Sequence, residues 1–415
     1  MIILAIETSC DETAISVVRF TRGKITTLSH LISSQAKLHA EWGGVVPMLA
    51  KREHMKNFTP LLVEALTQAK LLPTKGGSAS GGKHISPATK NKIEKVLARE
   101  PELFTELVKF LNTTKIPKID AIAVTSGPGL EPALWVGVNA AKALAIAWQK
   151  PLVPVNHMAG HIYSVLANTK IKLQFPAVAL LVSGGHTELV QIKDYLKHKI
   201  IGQTRDDAVG EAFDKVARLL DLPYPGGPEI SRLAKDYQVL RENIAQTGEA
   251  SIAILQQKNM RVLEEQLGNL KLPRPMIHSG DLDFSFSGLK TAVLYLTKKL
   301  KENGEWNNQV KMAIAHEFQA AAVEVLVAKT LKALEKTKAK TLIVGGGVVT
   351  NTELRKVLTE KVTAKFPTVN LLLSDTKLAT DNATMIAIAG YLSLSHGQKL
   401  PSLAKIKAQG NLVLK

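Results

Sequence analysis

One cysteine, Cys10, stands in 415 residues. No intramolecular disulfide can brace the fold, and a reducing compartment suits the chain. Nowhere is there a stretch of about 20 uninterrupted apolar residues. The longest candidate, 132–149, is broken by Asn139 and Lys142. A membrane-spanning helix is thereby excluded, and a soluble, cytoplasmic protein is expected. Met1-Ile2-Ile3-Leu4-Ala5-Ile6 runs straight into acidic residues without a basic start, so no secretory signal is expected. Three glycine-rich turns occur, yet none closes with Gly-Lys-Ser/Thr, which removes a Walker phosphate loop. None matches Gly-x-Gly-x-x-Gly in a dinucleotide-binding setting. Acidic residues run out early: none follows Asp381, whereas Lys399, Lys405, Lys407 and Lys415 do.

Positive charge is what the chain has in excess. Its 53 Lys and Arg against 36 Asp and Glu give a formal charge of +17. That favours a polyanionic partner, nucleic acid before anionic membrane, and equally fits a lysine-rich organismal bias, because charge speaks to association and not to fold. The length predicts two or three domains of about 150 residues each. An apolar share of 45% supports a large core.

The chain opens with two apolar runs, 2–6 and 14–20, around a polar turn, which reads as a β-hairpin. A turn at 43–47 precedes a helical pattern over about 48–70. A strand over 119–125, a helix over about 136–149 and a strand over 152–155 follow. The second half repeats the scheme. It has strands at 177–182 and 187–192 around a polar turn, a strand at 341–344, a helix over 352–366, a strand at 371–374 and a helix over 381–395. An opening hairpin followed by strand–helix units, present twice, is an α/β pattern with mixed sheets. Residues 74–92 are rich in Gly, Ser and Lys and read as a loop. Helical spacing over 93–111 must be kinked or split by Pro101. Residues 236–272 read as largely helical and polar.

His157-Met158-Ala159-Gly160-His161 carries the sharpest chemical signal. Two imidazoles four residues apart share one face of a helix and can reach one metal ion. Such a pair also serves packing or solvated surface. Met158 stands where zinc peptidases carry their Glu, so a peptidase loses its general base. Asp381 is the best candidate for a third ligand. Ser126-Gly127-Pro128-Gly129, Ser183-Gly184-Gly185-His186 and Gly345-Gly346-Gly347 each follow a buried strand. Their amides can hold phosphate oxygens, and tight strand exits also need Gly for geometry alone. Glu7, Asp11 and Glu12 form an acidic hairpin tip able to bind a cation, orient a water or accept a proton, or simply to be solvated. Asp214 lies in the first turn of a helix, where it complements the dipole or accepts from a ligand hydroxyl. Tyr224-Pro225-Gly226-Gly227-Pro228 reads as a stiff turn or a helix stop. Phe284 and Phe286 read as core before a helix.

Together these segments resemble one family, the tRNA N6-adenosine threonylcarbamoyltransferases, formerly O-sialoglycoprotein endopeptidases. The resemblance is carried by 7–13 (Glu-Thr-Ser-Cys-Asp-Glu-Thr), 39–47 (His-Ala-Glu-Trp-Gly-Gly-Val-Val-Pro) and 126–130. It continues through 157–161, 181–187, 211–215, 224–228, 283–290 and 380–382, in family order. It implies an actin-like, sugar-kinase-like and Hsp70-like ATPase fold, with two ribonuclease-H-like lobes around a central cleft. The first lobe would be 1–152, with an insertion at about 73–118, completed by a C-terminal helix at about 381–415. The second would be 153–380, with a helical insertion at about 236–272. The implied reaction moves a threonylcarbamoyl group from threonylcarbamoyl-AMP to N6 of adenosine 37 in tRNAs reading codons that begin with adenine. The resemblance places one divalent metal per subunit, iron first and zinc as the alternative, on His157, His161 and Asp381. It places the adenylate on Leu181, Val182, Ser183, Gly184, Gly185, Asp214, Gly227 and Asn351. Leu181 stands where archaeal and eukaryotic relatives carry a metal-binding tyrosine, so a bacterial-type member is implied, working with a paralogous dimerisation protein and a small P-loop ATPase and with no membrane. Asp11 or Glu12 is the candidate base. Departures from the family pattern are Ala159 for a frequent Glu, Ala383-Thr384 for Gly-Ala, and the long segment 74–118. A non-catalytic scaffold paralogue and a small-molecule kinase on the same fold are the alternatives.

Overall fold

Burial on both faces shapes the inner strands of the first sheet. In the computed structural model, which describes residues 1–22, 24–72, 85–167, 173–246 and 270–415, five strands pair side by side. They are β1 (Ile2–Glu7), β2 (Glu12–Thr21), β3 (Lys24–Ser34), β4 (Ala121–Gly127) and β5 (Leu152–Asn156), in the order β3-β2-β1-β4-β5. β1 runs antiparallel to β2, with Ile6 opposite Ile15, and parallel to β4, with Ile6 opposite Val124. Alternate residues serve opposite faces. Leu4, Ile6, Ile15, Val17, Ile122 and Val124 share one apolar cluster with Phe58 and Leu62 of the helix Pro47–Gln68 and Leu134 and Val138 of the helix Glu131–Trp148. The opposite face receives the helix Ala383–Ser395. There a side-chain carbon at Gly390 would lie 2.9 Å from Cβ of Ala123, so glycine sets how closely helix and sheet approach. Burial on both faces is why β1 and β4 read as unbroken apolar runs.

A second sheet repeats the plan. β6 (Ala177–Val182), β7 (Thr187–Asp194), β8 (Lys197–Gln203), β9 (Thr341–Gly345) and β10 (Asn370–Leu373) lie in the order β10-β9-β6-β7-β8. β9 runs parallel to both β6 and β10. Counted within its own half, each sheet has the order third, second, first, fourth, fifth strand.

By contacts the chain forms two units. One comprises Met1–Leu173, Ile192–Lys199 and Ser374–Lys415; the other comprises Gln174–Gln191 and Ile200–Leu373. The short helix His157–Tyr163, assigned from sequence to the second lobe, groups with the first unit because it packs on the helix Ala383–Ser395.

Two edge strands were absent from the sequence reading. β3 and β8 each form one outer edge of their sheets and are only patchily buried, so they lack the apolar runs seen elsewhere; the other outer strands, β5 and β10, are short and mostly apolar. The loop expected over 74–92 is corrected in part. A helix begins at Pro87, capped by the Ser86 side chain, which accepts from Thr89 N. Residues 73–84 lie outside the described residues. Pro101 does not kink a helix but opens the next one, Pro101–Thr113, where its missing N–H costs nothing. The segment 224–228, read as a stiff turn or a helix stop, follows the end of the helix Val209–Leu219, and from Gly226 it also opens the helix Gly226–Gln246. Of the helical stretch expected over 236–272, residues 247–269 lie outside the described residues.

Glu188 on β7 offers a test of the second sheet. Its Oε2 is buried without a hydrogen-bond partner among the described residues, and burial pushes the carboxyl up to about 7. An unfolded Glu titrates near about 4.3, so the native chain holds this proton more tightly. Stability from this group is therefore full at low pH and declines as pH rises from there to about 7. Glu188→Gln keeps the shape of the protonated group. In thermal unfolding followed by circular dichroism, the variant should melt several degrees above the unaltered chain at pH 8 and together with it at pH 4. A lower melting temperature at pH 8 would count against the burial argument.

Candidate metal centre

Two capping asparagines build this site. β5 ends at Asn156, whose side-chain oxygen accepts from Met158 N at 2.8 Å and Ala159 N at 3.3 Å. The helix His157–Tyr163 thus starts at the first histidine. Asn382 caps the helix Ala383–Ser395 by accepting from Met385 N at 3.0 Å, and its amide donates to Thr380 O at 2.8 Å and Leu378 O at 3.1 Å. Those bonds fix the backbone at Asp381. The two helices meet at Gly160, where a side-chain carbon would lie 2.9 Å from Cδ1 of Ile386. A larger residue there would have to displace the Ile386 and Met385 side chains.

His157 Nε2 and His161 Nε2 lie 3.1 Å apart. Asp381 Oδ1 is 3.3 Å from the first and 3.2 Å from the second. Three donor atoms at such separations leave a common centre about 2 Å from each, the length of a metal–imidazole or metal–carboxylate bond. Both histidines are buried, and Asp381 is partly so. Two imidazole nitrogens aimed at each other can share one proton or turn both lone pairs to a cation. The set His157, His161 and Asp381 can hold a metal ion.

Behind His157 stands a second carboxylate. Glu7, fully buried at the end of β1, places Oε2 3.1 Å from His157 Nδ1. Ser9 Oγ lies 3.2 Å from the same nitrogen. Glu7 also accepts from Ser9 N at 2.5 Å through Oε1 and from the Thr125 hydroxyl through Oε2. A carboxylate on the far nitrogen fixes the tautomer that leaves Nε2 free as a ligand. Burial works against charge at His157, but Asp381 and Glu7 raise it well above the ordinary imidazole range. Burial likewise opposes the Asp381 charge, yet His157 and His161 hold that carboxyl well below the usual carboxylate range.

The acidic hairpin tip divides. Glu7 is not at the tip: it closes β1 and bonds inward. Asp11 and Glu12 are half-buried on the turn into β2. Burial, and then Asp381 and Asp11, push the Glu12 carboxyl well above its usual range. His54 props this turn from the helix Pro47–Gln68, with Nε2 3.0 Å from Cys10 O and Nδ1 2.7 Å from Thr13 Oγ1. The motif at 39–47 is partly structural, because buried His39 accepts from Val46 N at 3.3 Å and meets Gln35 Oε1 at 3.1 Å. Thr384 keeps its buried hydroxyl bonded to Ser16 Oγ and His30 Nδ1, each at 2.8 Å.

The residues expected to hold an adenylate all belong to the second unit. Leu181 and Val182 are buried strand residues of β6, so their backbone is what they can offer. Ser183 closes a turn with His186, accepting from His186 N at 3.1 Å through Oγ and donating its own N–H to His186 O at 2.9 Å. Side-chain carbons built at Gly184, Gly185 and Gly227 would meet nothing within 4 Å, so the backbone is open to a ligand there. Asp214 spends one oxygen on Gly226 N at 2.7 Å; burial raises its carboxyl, against the Gly226 and Gly227 amides. Asn351 caps the helix Thr352–Lys365 with its oxygen and donates its amide to Gln319 Oε1 at 2.8 Å and Ser231 Oγ at 3.0 Å. Thr125 and Gln319 escaped the sequence reading, and Ser9 entered it only as part of the 7–13 segment, since nothing in the sequence distinguishes a partner of a functional residue from an ordinary polar one.

Two sheets of one strand order, with a buried His–His–Asp set at the end of the first, define an actin-like α/β fold carrying a candidate metal centre. The sequence profile of the tRNA N6-adenosine threonylcarbamoyltransferases matches residues 26–75 and 98–388. Proteins of that description from Burkholderia lata and Paraburkholderia xenovorans are 43% and 42% identical to this chain, over 95% of it and 92% of their own lengths. The chain belongs to the tRNA N6-adenosine threonylcarbamoyltransferase family. Among solved structures, a ROK hexokinase from Thermus thermophilus is similar over 96% of this chain and 100% of its own, at 12% identity and a TM-score of 0.44. No helix among the described residues is long and apolar enough to cross a membrane.

Proposed function

We propose that this chain is an acyltransferase that moves the threonylcarbamoyl group of threonylcarbamoyl-AMP onto N6 of adenosine 37 in tRNAs reading codons that begin with adenine. Family membership carries the reaction class, and the buried His157–His161–Asp381 set is the structural observation that supports the chemistry. His157, His161 and Asp381 would hold a divalent ion, iron before zinc, since imidazole and carboxylate suit either. When bound there, such an ion supplies a Lewis acid for the carbamate carbonyl and the departing phosphate.

The protein's own residues do the remaining work. Glu7 and Ser9 orient His157 through Nδ1. In the second unit, the open amides of Gly184 and Gly185, with Leu181, Val182, Ser183, Asp214, Gly227 and Asn351, hold the adenylate, whose phosphate suits exposed N–H groups. The mixed anhydride is already activated, whereas the adenine N6 amine is a weak nucleophile, so positioning and a base matter most. Asp11 or Glu12 supplies that base. A paralogous dimerisation protein and a small P-loop ATPase are its proposed partners, in the cytoplasm.

Threonine carrying a label in threonylcarbamoyl-AMP should appear in unmodified tRNA when the chain and those partners are supplied. It should not appear in tRNA carrying guanosine at position 37. Labelled product without this chain, or none with it and its own partners, would overturn the reading in favour of a scaffold.

A further inference from the structure

Several partly buried cations among the described residues are met by a carboxylate: Lys51 by Glu100, Lys290 by Asp207, Lys311 by Asp221, Lys329 by Asp281, Arg274 by Glu317; Lys332 is met by the backbone carbonyls of Ser279 and Gly280. Lys142 has neither. It lies on the helix Glu131–Trp148 and is 9% exposed. Among the described residues its ammonium has no carboxylate partner and no hydrogen bond; the Trp135 ring lies 5.7 Å away. Burial, and then the charge of Lys407, hold the Lys142 ammonium below its ordinary range.

The acid-free C-terminal segment brings Lys407 there. Ile406 and Ala408 are buried in one cluster with Val138 and Ala141 of that helix, and Lys407 between them is exposed. Beyond it, Gln409 N donates to Ser126 O at 2.8 Å, and Gly410 O accepts from Gly129 N at 3.0 Å. A side-chain carbon at Gly127 would lie 2.0 Å from Gln409 O, so the segment is seated closely. Lys405 and Lys407 also line an open cavity of about 700 Å³ together with Asn156, Gln398, Asn411 and Tyr195. No Asp or Glu is among its described lining residues.

Lys142 and Lys407 repel one another in the free chain, and no carboxylate among the described lining of the cavity offsets Lys405 and Lys407, Glu131 meeting this segment only at Gly410; a bound polyanion relieves that repulsion. We propose that Lys142, Lys405 and Lys407 form a phosphate-binding surface for the backbone of the RNA substrate. The inference rests on the proposed function for the identity of the polyanion. RNA phosphates are favoured over the phosphate of the adenylate because two of the three lysines are exposed on an outer segment beside an open cavity, where a long strand can lie.

The test is the double variant Lys405→Ala/Lys407→Ala, with Lys142→Gln for the buried member and Lys361→Ala/Lys365→Ala as a control that removes the same charge elsewhere. Equilibrium tRNA binding is measured across a salt series, and KM for tRNA and for threonylcarbamoyl-AMP in the transfer reaction. The double variant should bind tRNA about tenfold more weakly, with a salt slope smaller by about 1.5, since each lost phosphate contact removes somewhat under one counterion. KM for tRNA should rise with kcat and KM for the adenylate unchanged, and the control should behave as the unaltered chain. An unchanged salt slope, an equal effect in the control, or a rise in adenylate KM instead would overturn the proposal. Failure of transfer by the unaltered chain would instead strike the proposed function, because the salt slope is read without catalysis.

Discussion

With alanine in place of both His157 and His161, transfer to tRNA should fall by more than about a thousandfold, the scale on which loss of charge stabilisation at a reacting centre is felt. Two of three inward donor atoms vanish, and Asp381 alone cannot hold an ion against water. Metal content after purification, measured by mass spectrometry, should fall from about one ion per chain to near none. Removing the imidazoles also leaves Glu7 and Asp381 without their partners at 3.1 to 3.3 Å. Carboxylates so stranded take up protons or destabilise the fold, at a cost of about 3–5 kcal/mol for a fully buried charge pair broken on one side. Circular dichroism therefore accompanies the assay, and Asp381→Asn, which keeps the shape, serves as a second variant. A folded, metal-free double variant that still transfers would dismiss the assignment of chemistry to this set.

Glu7→Gln should weaken metal binding about 10- to 100-fold, the usual effect of losing a partner behind a ligand histidine. Every receptor of Glu7 is a donor: Ser9 N on one oxygen, the Thr125 hydroxyl and His157 Nδ1 on the other. A glutamine has one oxygen and one NH2, so in either orientation its NH2 confronts a donor. If it faces His157, the imidazole turns its proton to Nε2, where the ion must bind. If it faces Ser9, the strand-end amide is left unpaired. Titration against a coloured chelator reads the affinity without any assay of transfer, and the melting temperature of the metal-free chain reads the structural part separately. Equal affinity in the variant and the unaltered chain would remove Glu7 from the site.

The inner strands were plain in the sequence because β1, β4, β6 and β9 are buried on both faces and appear as unbroken apolar runs. β3 and β8 were not, since polar residues interrupt any apolar run along them, whereas the outer strands β5 and β10 are short and mostly apolar. His157 and His161 were legible from spacing alone, as both lie on one short helix. Asp381 comes from far along the chain, and its place beside them depends on Gly160 and two Asn caps, which a single sequence shows only as local signals. Glu7 was noticed for its charge and given the wrong setting. A Glu at the end of an apolar run reads as a turn residue until the partner that buries it, on a strand and a helix about 120 to 150 residues away, is known. Lys142 looked only like an interruption of an apolar stretch.

The first unit is built from three stretches of chain, and its candidate ligands span His157 to Asp381. During synthesis the first sheet can pair long before Asp381 emerges, but the donor triangle cannot close until Asp381 has left the ribosome. Ion capture therefore reports synthesis past Asp381: a chain arrested between His161 and Asp381 holds two histidines and no closed triangle. In a cell the ion would be taken up only after Asp381 has emerged, which makes loading a step separable from folding of the first sheet and open to competition among whatever cations are free at that moment.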